Sequence, residues 1–82
     1  METHRLIRMV NDIASFFQSE PDRAVALDGV ASHIKRFWDP RMRRELLAWL
    51  DDHGGEGLEE LALASIRAHR EMLQPAAARS AP

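Results

Sequence analysis

The sequence predicts an all-α fold, a small bundle of three to four short helices. Apolar residues recur at i, i+3/i+4 and i+7 in successive segments, and no segment shows the strict alternation of a half-buried strand. Residues that start and stop helices, Asp39-Pro40, Gly54-Gly55 and Pro75 among them, fall between those segments. At 82 residues the chain is one domain at most. A chain of this size buries only about 60% of its unfolded surface, so its stability alone is marginal and a partner would add to it. We expect a helical domain over residues 3–73 and a flexible tail over 74–82, where QPAAARSAP is poor in large apolar residues.

The first helix is expected from Thr3, as N-cap, to about Gln18. Leu6, Val10, Ile13, Ala14 and Phe17 form its stripe, with Met9 and Phe16 to one side and Ile7 to the other. That apolar arc spans roughly 180°, against about 100° for a surface helix, so part of it is available to something beyond the domain's own core.

In SEPDRA, Ser19 and Asp22 have the spacing of a capping box, with Pro21 in the first turn of the second helix. Leu27, Val30, Ala31, Ile34, Phe37 and Trp38 share one side of that helix, and Asp28, Ser32, Lys35 and Arg36 the other. Gly29 lowers helix propensity by about 1 kcal/mol relative to alanine and is read as marking a close helix crossing.

The residue before a proline is disfavoured in the α region, so Asp39-Pro40 ends this helix near Trp38 and begins the next, with Asp39 as N-cap and Pro40 at the first helical position. FWDP is therefore read as a helix–helix corner with Phe37 and Trp38 packed in its angle. The third helix, about Pro40 to Asp52, carries Met42, Leu46, Trp49 and Leu50 inward and Arg41, Arg44, Glu45 and Ala48 outward. Arg43 falls at the edge of the apolar arc, an unusual place for an exposed charge. HGGEG stops the helix through a left-handed Gly54 or Gly55. A fourth helix, about Leu58 to Leu73, presents Leu58, Leu61, Ala62, Ile66, Met72 and Leu73, and Pro75 ends it.

The absence of cysteine excludes disulfides, thiolate zinc sites and conventional iron–sulfur clusters. METHRLIRMVNDIASFF is interrupted by Arg8, Asn11 and Asp12 and has neither a signal-peptide core nor a membrane span, so a cytoplasmic location is expected. Net charge is −2, which argues against general polyanion binding. Residues 1–50 hold eight Lys/Arg against seven Asp/Glu and residues 51–82 three against six, so the basic cluster of HIKRFWDPRMRREL is local.

No catalytic, cofactor-binding or metal-ligating residue is assigned. His4, His33, His53 and His69 have no H-x-x-x-H or H-E-x-x-H spacing. His69 is read as a last-turn histidine facing carbonyls rather than as a buried ligand. His33 is either an interface residue or a hydrogen-bonded rim residue. HGGEG follows a helix and lacks the Walker lysine, so it reads as a C-cap and not as a phosphate loop. Lys35 and Arg36 are read either as a solvated face or as part of a contact. A helix-turn-helix DNA reader would need the third helix to present a positive face, which Asp39 and Glu45 dilute while Trp49 and the leucines turn inward. Arginine beside tryptophan and methionine is instead the usual composition of a protein–protein contact.

FF…PD between the first two helices, then HIKRFWDPRMRREL and the glycine-rich turn into GLEELA, resemble the delta subunit of soluble NAD-dependent formate dehydrogenases over about residues 5–68. The resemblance implies a cofactor-free accessory subunit of a cytoplasmic complex. Its partners there are a large molybdenum or tungsten pterin subunit that oxidises formate, together with flavin and iron–sulfur subunits that reduce NAD. From the charge balance and the lack of an apolar span, we expect no nucleic acid and no membrane among the partners.

We therefore expect a non-catalytic subunit that docks on the large formate dehydrogenase subunit to support assembly or stability. Other subunits of the same complex are further candidate partners. The contact is expected at His33, Arg36, Trp38, Arg41, Arg43 and Arg44, with Met9 and Phe16 second and Trp38 alternatively core. Two other readings stay open. One is a transient assembly chaperone whose basic corner favours an anionic pterin dinucleotide or its entry path. The other is a small helical DNA-binding regulator, whose affinity would fall steeply with salt.

Overall fold

The computed structural model describes residues 2–75. Among them it places five helices and no strand: α1 Thr3–Phe16, α2 Arg23–Phe37, α3 Pro40–His53, α4 Glu60–Ala68 and α5 Arg70–Leu73. The all-α expectation holds, with the last predicted helix divided in two. Of the predicted tail, residues 76–82 lie outside the described residues, and Pro75 is buried.

The helix starts follow local chemistry, with two departures from expectation. Thr3 does not cap α1. Glu2 occupies that position without a side-chain bond, and the Thr3 hydroxyl instead donates to Glu45 Oε2 at 2.7 Å, joining α1 to α3. Ser19 does not form a capping box either. Asp22 is itself the N-cap of α2, accepting from the Ala24 and Val25 amides at 3.0 and 3.4 Å. Pro21 explains the shift, because Glu20 before it is steered away from helical backbone and the helix begins only after the proline.

α2 is the central element, packed against α4 and also against α1 and α5; α3 packs on α1 and α5. Leu6, Val10, Val30, Ile34, Leu46 and Ile66 have no exposed surface. Most of the wide α1 arc is used by this core, since Ile7, Ile13 and Ala14 are also buried and Met9 and Phe17 pack against its edge. Burial of a side chain of this kind contributes about 1.5–3 kcal/mol, which is how so short a chain offsets its backbone entropy.

Gly29 makes room for Phe17. A Cβ at this position would lie 2.8 Å from the Phe17 Cδ1 and closer still to another ring atom. Gly29→Ala should therefore gain about 1 kcal/mol of helix propensity but expel a ring whose burial is worth about 1.5–3 kcal/mol. We expect a net loss of about 1 kcal/mol in urea denaturation. The same substitution in a Phe17→Ala background should stabilise the chain.

α3 ends at Gly54, whose backbone is left-handed (φ 65°, ψ 18°), as HGGEG predicted. The loop beyond it is tied to two helices. Trp49 Nε1 donates to the Glu56 carbonyl at 2.8 Å, and the Gly55 amide donates to the Trp49 carbonyl at 3.4 Å. From α1, the Asn11 amide group donates to the Gly57 carbonyl at 3.0 Å, while the Glu59 amide donates to Asn11 Oδ1 at 2.9 Å.

The predicted helix 58–73 begins later, after Glu59, and breaks at His69, whose backbone is non-helical (φ −118°, ψ 31°). Ser65 donates to the Leu61 carbonyl at 2.7 Å, a bond back along the helix of the kind that bends it. Beyond the break, Leu73 and Pro75 turn into the interior.

Candidate partner-docking corner

The corner between α2 and α3 is fixed by backbone chemistry. Trp38 leaves the helix in extended conformation (φ −94°, ψ 138°) while its amide still donates to the Ile34 carbonyl at 2.9 Å. Asp39, held extended before Pro40 (φ −74°, ψ 165°), accepts from the Met42 amide at 2.9 Å and starts α3. Each half of the junction was predicted from the Asp-Pro pair.

The two aromatics of this corner part company. Trp38 is 5% exposed and belongs to the core, whereas Phe37 is 70% exposed. Phe37 lies on the same stripe as Val30 and Ile34, and was expected to pack in the angle. It is the last residue of α2 and no element covers it there, so its ring rests on His33 instead, with centroids 4.7 Å apart.

On either side of Phe37 in the chain, the cations Lys35, Arg36, Arg41 and Arg44 are exposed. Among the described residues the ion pairs are Arg23–Glu60 and Arg70–Asp51, so no corner cation has a carboxylate partner. Arg41 and Arg44, with Asp39 and Pro40, line a shallow open notch of about 430 Å³. The Asp39 carboxylate there is already engaged in capping α3.

The other residues expected at the contact are placed differently. Arg43 is 7% exposed; its Nη1 donates to the Leu73 carbonyl at 3.3 Å, and its buried Nε has no partner among the described residues. Met9 is half-buried on α1. Phe16 is 82% exposed. Its neighbour Phe17 packs at Gly29, about 12 Å of helix before Phe37, so Phe16 stands near the α1–α2 turn and away from the corner. The structure thus leaves His33, Arg36, Arg41 and Arg44 exposed, with His33 against Phe37 and Arg41 and Arg44 on one notch, sets Trp38 and Arg43 inside the fold and separates Phe16.

No group of three or more His, Asp or Glu side chains among the described residues is placed to hold a metal ion. No helix among them is long and apolar enough to cross a membrane. His69 is half-buried at the break between α4 and α5.

Comparison with known families decides what this corner belongs to. The model of the NADH-dependent formate dehydrogenase delta subunit, FdsD, matches residues 5–66, which is 62 of the 82 residues. The chain belongs to the FdsD family. No curated protein and no solved structure matches it. The FdsD match takes in most of α1, all of α2 and α3 and most of α4, including the whole corner, and it stops before α5.

Sequence reasoning missed Phe37 as a surface group because periodicity assigns a face and not a depth. The usable signal was its position as the last residue before a helix-ending Trp-Asp-Pro. Asn11 was read only as an interruption of an apolar stretch. Its role as a clamp on a loop 46 to 48 residues away has no local signature.

Proposed function

We propose that this FdsD-family chain is a non-catalytic accessory subunit of a cytoplasmic NAD-dependent formate dehydrogenase. It docks on the large molybdenum- or tungsten-pterin subunit and supports that subunit's assembly or stability. The observation that carries this reading is the family match across the corner. Its exposed phenylalanine and unpaired arginines are the composition of an interface and not of a solvated face alone.

Co-expression of the tagged chain with the other subunits tests it. We expect the large subunit to co-elute stoichiometrically through size exclusion, the isolated chain to oxidise no formate, and omission of the chain to lower the yield of assembled enzyme. A large subunit that assembles at full yield without the chain, and never co-elutes with it, would reject the proposal. Association with an immature large subunit only, and absence from the active enzyme, would make the chain a chaperone instead.

A further inference from the structure

This inference rests on the docking reading above and deepens it. We propose that Phe37 is the anchor of the contact, and that it inserts into an apolar recess of the large subunit bordered by carboxylates that pair with Arg36, Arg41 and Arg44.

Position gives the first reason. A phenylalanine 70% exposed at a helix end loses apolar burial unless something covers it, and no element among the described residues does. Its backbone is held rigidly. The adjoining Trp38 is buried in the core, the Trp38 amide is bonded to the Ile34 carbonyl, and Asp39-Pro40 fixes the exit. His33 supports one side of the ring at 4.7 Å. Little ordering entropy remains to be lost at docking, which is what distinguishes an anchor from a mobile surface side chain.

Charge gives the second reason and names the partner's chemistry. Arg36, Arg41 and Arg44 are exposed, and none has a carboxylate within ion-pair distance among the described residues. Residues 33–44 carry five Lys/Arg against Asp39 alone, within a chain whose net charge is −2. The complementary surface is therefore acidic around the recess. Arginine pairs with carboxylates through two parallel bonds, so carboxylates there would also fix the orientation of the docked chain. Duplex DNA offers anions but no apolar recess for a phenylalanine standing beyond them.

The test measures binding of the full chain to the purified large subunit at two salt concentrations, with circular dichroism melting of each variant as a check on folding. Phe37→Ala should weaken binding at least tenfold with an unchanged melting curve, and Phe37→Leu should recover most of it. Arg36→Gln, Arg41→Gln and Arg44→Gln together should slow association and remove most of its salt dependence, and the three Glu substitutions should reverse it. Phe16→Ser, away from the corner, should leave affinity unchanged. Wild-type binding with no change in the Phe37 and arginine variants would overturn this surface and leave the docking reading standing. No wild-type binding would overturn both. Salt-sensitive capture of duplex DNA by the same arginines, with Phe37→Ala neutral, would overturn the inference in favour of a nucleic-acid face.

Discussion

Trp38→Ala is expected to cost about 3–5 kcal/mol, the range for truncating a large buried aromatic. An 82-residue chain has roughly 4–12 kcal/mol of total stability, from about 0.05–0.15 kcal/mol per residue, so this one change removes a large part of it. The side chain is 5% exposed and belongs to the core cluster at the junction of α2 and α3, so truncation leaves a cavity there. Urea denaturation followed by circular dichroism should show a sharply lowered midpoint, and Trp38→Phe a smaller fall. The corner carrying Phe37 should loosen together with the core, so the proposed docking should weaken as well. A Trp38→Ala chain as stable as wild type would show that the corner is not held from beneath.

Arg43 should answer differently to two substitutions. Its guanidinium is buried, its Nε is unpartnered, and its one bond runs to the Leu73 carbonyl at the end of α5. Arg43→Met removes the orphaned donor and keeps the length of the side chain. The lost bond and the relieved desolvation oppose each other, and we expect a change within about 1 kcal/mol. Arg43→Glu sets a buried carboxylate against a carbonyl, and should cost about 3–5 kcal/mol. Thermal melts of the two variants decide the matter. Equal melting temperatures would mean that the side chain is not buried in solution. The same contrast bears on interface mapping, because partner loss in Arg43→Glu would report unfolding, whereas Arg44→Glu changes an exposed group.

The parts of the fold that were legible in the sequence are those with a local mechanism. Asp39-Pro40 prescribes both the end of one helix and the start of the next, Gly54 supplies a left-handed stop, and α1 and α3 show their buried faces by period. What was not legible depends on distant residues. Thr3 could serve as a cap by its chemistry, but Glu45 lies within its reach only after α3 has folded back on α1. The break at His69 divides an apolar pattern that is continuous in sequence, because Leu73 and Pro75 turn inward. The candidate site divides the same way. The cations at 36, 41 and 44 were read correctly as outward-facing, while the depths of Phe37, Trp38 and Arg43 were set by where neighbouring helices stop.

The amide side chain of Asn11 has a consequence for how the molecule comes into being. Both of its polar groups are occupied by backbone 46 to 48 positions further along, so a ribosome must release the segment through residue 59 before the first helix acquires its last two bonds. Helical proteins ordinarily assemble quickly from nearby pieces. Here α1 can lie against α2 and α3 as they emerge, yet its fastening to the loop before α4 closes only when residue 59 is free, late in synthesis.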